Sequence, residues 1–357
     1  MAQRLKVALL FGGRSGEHEV SVRSAVSVAS GLAGRHDVYP VLIDHDGGWW
    51  LQKGPEPRPE GGEAVFVAPS PSDRGRLRRM ADAREVALPD VYFPVLHGTF
   101  GEDGTIQGLL DLAGVAYVGS GVAASAACMD KELMKALFAA ADVPQVAYRV
   151  LRGRPQGKER EKELLDALGL PLFVKPANMG SSVGVSKVKR QEELQAALDD
   201  AFSYDQKVVV EAGVDAREIE VSVLGNERPE ASLPGEIIPD REFYDYDSKY
   251  SADSKTELRI PAPLGEPLTS EIRALGVRVF QAVDASGYGR VDFLVERKTS
   301  RAFVNEINTI PGFTSISMFP KMWEATGLPY PELLDRLLRL GLDRQASRAR
   351  LRTRYGR

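Results

Sequence analysis

Over the first third of the chain, short apolar runs alternate with stretches whose apolar residues fall at helical spacing. "KVALLFGG", residues 6–13, reads as a buried strand that ends in glycines. "EVSVRSAVSVASGL" carries a helical pattern and stops near Gly31 and Gly34. "HDVYPVLID" predicts a second strand and "DVYFPVLHG" a later one. Strand–helix alternation of this kind predicts a parallel sheet with helices on its faces. Between these strands, residues 54–62 are rich in Pro, Gly and Glu. Residues 70–84, "SPSDRGRLRRMADAR", read as a charged, solvated insertion; phosphate binding by the arginines is the other reading.

From about Ala123 the character changes. "DKELMKALFAAADV" predicts a helix with Asp130 as its N-cap and Pro144 after its end. "GRPQGKEREKE" reads as a polar loop or helix start. "PLFVKPANMGSSVGVSKVKR" predicts strand, Gly/Ser loop, strand, and "QEELQAALDDAFSY" predicts an amphipathic helix before the strand "QKVVVEAGV". A mostly β region opens near residue 216 with "REIEVSVLG". Within it, the polar stretch Phe243–Glu257 reads as a large loop. After Leu342 the chain is Arg-rich and reads as a solvated or frayed terminus, with partner docking as the alternative. No internal repeat or low-complexity block is present.

Composition narrows the class of protein. A length of 357 residues suits two or three units with real cores. Hydrophobic residues make up 43% and charged residues 27%, ordinary values for a globular protein. The formal net charge of −4 gives no bulk attraction to nucleic acid. Cys128 is the only cysteine, so no intramolecular disulfide can form, in keeping with a reducing compartment. No run of 18 apolar residues suggests a membrane span, and Val7–Phe11 is too short for a signal-peptide core. A cytoplasmic location is expected.

Three polar stretches carry candidate chemistry. In "GRVDFLVERKTSRAFVNEIN", residues 289–308, two apolar runs flank "ERKTSR" and predict a hairpin. With side chains alternating faces, Glu306 and Asn308 share a face and Asn305 points the other way. A turn centred near Thr299 places Asp292 opposite Glu306 and Arg290 opposite Asn308, with Cβ atoms of such pairs about 5 Å apart. Two carboxylates this close repel unless a positive charge lies between them. Hard oxygen ligands suit Mg²⁺ bridging to phosphate; a polar strand face paired with Arg290 is the other reading. In "VKPANMGSSVGVSKV", Gly180 and Gly184 bracket Ser181 and Ser182, and such a loop can turn backbone N–H groups and hydroxyls onto phosphates. It has neither a P-loop nor a dinucleotide-fold pattern. Lys175 ends the preceding strand, and Lys131 lies on the earlier helix; both can offer charge to a phosphate. In "FGGRSGEHEVS" a helix N-terminus follows glycines, but Glu17 there suits an ammonium better than a phosphate. Capping by Ser15 with acids in the first turn explains the same residues.

Taken together, "FGGRSGEHEVS", "LHGTFGEDGTIQGLL", "MDKELMK", "FVKPANMGSSVGVSKV", "EIIPDREFYDYDSKY", "GRVDF" and "NEINTIPGFTSISMFP" resemble the ATP-grasp ligases, and among them the D-alanine–D-alanine ligase family. The resemblance implies a three-domain ATP-grasp fold, α/β and α+β, with an N-terminal parallel-sheet α/β domain. Its expected bounds are 1–121, 122–215 and 216–345, with 346–357 as a basic tail. ATP would lie between the second and third. The matching positions imply that Lys131 and Lys175 contact ATP phosphates, that Lys249 binds ATP, and that Ser181 and Ser182 lie in the phosphate-covering loop. Glu211, Ala212 and Val214 would hold adenine and Glu218 the ribose. Asp292, Glu306 and Asn308 would ligate two Mg²⁺ or Mn²⁺ ions, and Arg290 would stabilise the transferred phosphoryl group. Glu17, supported by His97, would hold the ammonium of a first D-alanine. Gly312, Ser317 and Met318 would hold the carboxylate of a second. Tyr250 would reach Ser181 and Glu17 from the Phe243–Glu257 loop, the expected lid. The implied reaction joins two D-alanines through an acyl phosphate, for peptidoglycan synthesis, and the implied assembly is a homodimer. A D-alanine–D-lactate ligase, another ATP-grasp carboxylate–amine ligase, or a nucleotide-binding regulator without catalysis are the alternatives.

Overall fold

The computed structural model describes residues 4–54, 56–154, 158–239 and 256–352. Its architecture is α/β and α+β, with three sheets. The apolar run of β1 (Lys6–Gly12) pairs in parallel with β2 (Asp37–Ile43) on one side and β7 (Val91–Pro94) on the other. Helices α1 (His18–Leu32) and α2 (Thr105–Ala113) pack against this sheet through residues such as Val28 and Leu110, as the alternation predicted.

The stretch 70–84 is largely exposed, as its charge predicted, but it is built into the sheet rather than inserted as a loop. After β3 (Trp49–Leu51), the strands β4 (Glu63–Val67), β5 (Leu77–Arg79) and β6 (Glu85–Ala87) extend the same sheet, in the order β6-β5-β4-β3-β2-β1-β7. Val67 lies opposite Leu77, and both are buried. The arginines are used in ion pairs: Arg76 Nε lies 2.6 Å from Glu85 and Arg79 Nε 2.6 Å from Glu63. Strands of three residues are too short to display a period of two, so the arginines dominated the pattern.

The second sheet is antiparallel, in the order β10-β9-β11-β8, from β8 (Tyr148–Arg152), β9 (Leu172–Pro176), β10 (Ser186–Val188) and β11 (Lys207–Ala212). Helices α5 (Lys158–Leu168) and α6 (Leu194–Tyr204) cover its apolar face through Leu164, Leu194 and Leu198. The third sheet runs β15-β14-β12-β16-β17, with β13 (Glu230–Ala231) beside β12. Its strands are β12 (Ala216–Gly225), β14 (Gly235–Ile238), β15 (Glu257–Arg259), β16 (Gly287–Glu296) and β17 (Ala302–Asn308). One face carries Ile219, Val221, Val291 and Phe293. It packs against α3 (Val122–Met129), α4 (Lys131–Ala140) and α7 (Glu266–Ala282). The opposite face carries the polar residues of these strands and is left for chemistry.

After α8 (Met318–Ala325), α9 (Tyr330–Ala349) returns to the first sheet, where Leu333, Leu334, Leu337 and Leu338 pack with Val7, Val28 and Phe93. The Arg-rich end is therefore not frayed up to Ala349. Arg344 stacks over the Tyr117 ring at 4.0 Å, Gln345 donates to the Gly114 carbonyl at 2.8 Å, and Arg348 pairs with Asp111. Planar guanidinium groups found aromatic and acidic partners that lie far away in sequence.

Candidate active site

The β16–β17 hairpin places Asp292 opposite Glu306 and Arg290 opposite Asn308, the register read from the sequence. The register then slips: Phe293 faces Val304, which leaves Asn305 as an extra residue in β17. At such a bulge the alternation of faces is broken. Asn305 accordingly does not point away. Its Oδ1 accepts from Lys175 Nζ at 3.3 Å, on the side of the site. On the other flank, β12 sets Glu220 opposite Asp292. Three neighbouring strands thus carry a row of acids, Glu220, Asp292 and Glu306. Arg290 answers that charge. It donates from Nε and Nη2 to Asp292 at 2.7 Å each, and Nε lies 3.2 Å from Glu220. Burial works against its charge, but Asp292, Glu220 and Glu306 hold it well above the usual range.

Among the described residues, no group of three His, Cys, Asp or Glu side chains is placed to hold a metal alone. Asp292, Glu306 and Asn308 instead offer an incomplete set of hard oxygens on one face. Such a set fits Mg²⁺ or Mn²⁺ that shares its coordination with phosphate oxygens.

Facing this row is a lysine cradle. Asp130 caps α4 by accepting from the N–H groups of Glu132 at 3.0 Å and Leu133 at 3.1 Å, as its position predicted. The cap fixes the first turn, and Lys131 Nζ donates to the Met179 carbonyl at 2.6 Å, at the edge of the glycine loop. Burial pulls the Lys131 pKa below its usual value; Glu306 opposes that and Lys175 adds to it. Lys175 Nζ lies 2.6 Å from Glu211 Oε2. Burial works against its charge too, but Glu211 prevails and its pKa rises. Burial alone would raise Glu211; Lys135 and Lys175 reverse that and bring it down to about 2. In the loop, Ser181 and Ser182 take left-handed φ values of 48° and 62°, a strained choice for residues with a Cβ. Ser181 Oγ donates to Glu17 Oε1, joining the loop to the first sheet's β1–α1 turn. Ala212 donates its N–H to the Ala147 carbonyl at 2.9 Å, Val214 is half-buried, and Glu218 shares a strand face with Glu220.

Glu17 precedes α1, which has no side-chain cap. Ser15 Oγ accepts from the Glu17 N–H at 3.2 Å and donates to the His97 carbonyl at 2.6 Å, so it braces two loops rather than capping the helix. A Cβ at Gly98 would lie 3.0 Å from Glu17 Oε2. His97 is buried, with Nδ1 3.0 Å from the Ile310 carbonyl and Nε2 3.2 Å from Ser24 Oγ. Burial opposes charge on His97, but Glu102, 3.7 Å away, holds its pKa above the usual value. At Gly312 a Cβ would stand 2.8 Å from Ser317 Oγ, which accepts from the Thr314 N–H at 3.0 Å. Met318 is buried with Ile237 and Met322, so its free contribution is the backbone N–H at the start of α8. Lys249, Tyr250 and all but the last two residues of the 243–257 stretch lie outside the described residues.

Glu102, Lys135 and Glu220 belong to this neighbourhood and carried no role in the sequence reading. Two signals existed: Lys135 falls four positions after Lys131 on one helix face, and Glu220 two after Glu218 on one strand face. The Glu102 contact depends on tertiary packing alone.

Sequence models of a family described as "D-ala D-ala ligase" match the chain twice, the N-terminus model at residues 6–120 and the C-terminus model at residues 137–339. The chain belongs to the D-alanine–D-alanine ligase family. A relative from Heliobacterium modesticaldum named D-alanine–D-alanine ligase is 51% identical, with 96% of each chain covered. The solved D-alanine–D-alanine ligase of Coxiella burnetii superposes with a TM-score of 0.84 at 37% identity, covering 98% of this chain and 97% of its own. VanG D-Ala:D-Ser ligase from Enterococcus faecalis superposes with 0.82 at 32% identity, covering 95% and 100%. The fold is therefore the ATP-grasp ligase fold that the motifs implied.

Proposed function

We propose that the protein couples ATP hydrolysis to the joining of two D-alanines into D-alanyl-D-alanine. The observation that carries this reading is the row Asp292–Glu306 with Asn308 on one hairpin face, against Lys131 and Lys175 across the cleft. In this reading the three units bounded near residues 121 and 215 hold amino acid, nucleotide and phosphoryl-transfer groups, with ATP between the second and third.

A carboxylate is a poor electrophile, so the first D-alanine must be activated. Its ammonium rests on Glu17, displacing the Ser181 hydroxyl, while Ser15 braces the Glu17 loop on the His97 carbonyl. Its carboxylate oxygen takes the γ-phosphoryl group of ATP, giving an acyl phosphate and ADP. Phosphoryl transfer needs alignment and charge neutralisation more than covalent help. Lys131, Lys175 and Arg290 supply cations; Ser182 and the loop N–H groups cover the phosphates; Glu211, Ala212, Val214 and Glu218 hold the nucleoside. Mg²⁺ or Mn²⁺, when bound by Asp292, Glu306 and Asn308, adds neutralising charge on the phosphate oxygens. The second D-alanine, its carboxylate on Ser317 and the Met318 N–H beside Gly312, attacks as a neutral amine. A tetrahedral carbon forms, the C–O bond to phosphate breaks, and the amine proton passes to solvent. In this reading Arg290 stabilises the transferred phosphoryl group and the tetrahedral carbon. We assign Lys249 to ATP and Tyr250 to the Ser181–Glu17 contact from the motif resemblance alone. A homodimer, a cytoplasmic setting and supply of peptidoglycan synthesis belong to the same reading. Among the described residues, no helix is long and apolar enough to cross a membrane.

The test is phosphate release from ATP as a function of D-alanine, with the product weighed by mass spectrometry. D-Alanine-dependent release with dipeptide as product is expected. Release that ignores D-alanine, or a depsipeptide in preference when D-lactate competes, overturns the reading.

A further inference from the structure

Lys135 lies one helical turn after Lys131 on α4, but its side chain is only 1% exposed and no nucleotide can reach it. Its Nζ is 2.7 Å from Glu211 Oε1, while Lys175 Nζ is 2.6 Å from Glu211 Oε2. The Lys135 ammonium also stands 5.0 Å from the centre of the Tyr148 ring. Its contact with Glu211 is one of charge at short range rather than an aligned hydrogen bond. One buried carboxylate is thus shared by two ammonium groups, that of Lys135 buried and that of Lys175 partly exposed. Among the described residues, Glu211 is the acid that Lys135 meets.

The charge balance gives this arrangement a purpose. A Glu211–Lys175 pair alone would be neutral, and Lys175 would meet an incoming polyphosphate with its charge already spent on Glu211. A second ammonium on Glu211 leaves the trio with one net positive charge, and Lys175 is its member nearest the cleft: it also touches Asn305 on the β17 bulge, and its side chain is 13% exposed. Lys135 also works against the charge of Lys131, but less than Lys175 does. In a low-dielectric setting an uncompensated charge acts strongly on an anion.

We propose that Lys135 is a positioning residue of the nucleotide site: by balancing Glu211 from behind, it leaves the Lys175 ammonium free to hold ATP phosphates. The inference rests on the ATP reading above and adds a residue that never touches the nucleotide.

The test is calorimetric binding of Mg–ADP, without D-alanine, to the full-length wild type, Lys135→Met, Glu211→Gln and the double variant. Binding by the wild type tests the ATP reading; the ratios between variants test Lys135. Lys135→Met should weaken ADP at least tenfold in the presence of Glu211, but less than threefold in the Glu211→Gln background, where nothing remains to be balanced. An equal loss in both backgrounds, or undiminished binding by folded Lys135→Met, overturns the proposal. Because Lys135→Met alone leaves Glu211 with a single partner and can fail to fold, a second probe is inorganic tripolyphosphate, which has no base to contact Glu211. Glu211→Gln should bind it at least threefold more tightly than the wild type. Unchanged or weaker binding overturns the proposal.

Discussion

Residues Asp292, Glu306 and Asn308 were legible because one short turn fixes which side chains oppose each other across a hairpin. Glu306→Gln keeps the shape of that side chain and removes one anion. Ligation should fall at least a hundredfold, the thermal midpoint should stay near that of the wild type, and ADP should bind with a weaker dependence on Mg²⁺. Turnover near the wild-type level at limiting Mg²⁺ would remove Glu306 from the ligand set. Glu211 was legible as a position but not as a charge, since its neighbour Lys135 comes from a helix 76 positions earlier. Its pKa is held at about 2, below the usual 4.5. The depressed value means the carboxylate favours the folded state above about pH 4.5, and that contribution is lost as pH falls from there toward 2. The linked free energy is on the order of 3 kcal/mol at most. The stability difference between wild type and Glu211→Gln should therefore be constant above pH 4.5 and shrink below it. Denaturant unfolding across that range is the measurement, and a pH-independent difference would contradict the ionised trio.

Elements were legible where a pattern ran long enough. The helix opening at Asp130 announced its own cap, and α4 begins there. The arginine-filled strands of the first sheet gave no such signal, and one extra residue in β17 leaves no trace in composition. That single residue turns Asn305 toward Lys175, whose charge Glu306 also favours. Replacing Asp130 by Ala removes the cap and one partner of Lys207, which keeps Glu132 at 3.0 Å. The loss should be about 1–2 kcal/mol in urea unfolding. Fraying of that first turn should also loosen Lys131, weakening ADP several-fold. A stability change without any effect on nucleotide would show that Lys131 does not depend on the cap.

At the scale of the whole molecule, α9 ties back to the segment after α1, and no local pattern foretells such a contact. His36 Nδ1 accepts from the Leu5 N–H at 3.2 Å, so its Nε2–H is directed to Asp335 Oδ1 at 2.9 Å; Arg35 joins the same carboxylate. Asp335→Ala strips both partners of their acceptor and should cost about 2–3 kcal/mol in unfolding experiments. A loss below about 0.5 kcal/mol, the usual effect of a surface substitution, would mark the cluster as incidental. The contact between Ser181 and Glu17 joins two sheets that would otherwise meet their ligands independently. An amino acid that claims Glu17 must take it from Ser181, and a nucleotide that claims the loop draws Ser181 away from Glu17. The two ligands therefore bias one shared equilibrium, and thermodynamic reciprocity makes each assist the other by the same factor. D-Alanine should bind more tightly when ADP is present, ADP should gain equally from D-alanine, and Ser181→Ala should bring both factors toward one.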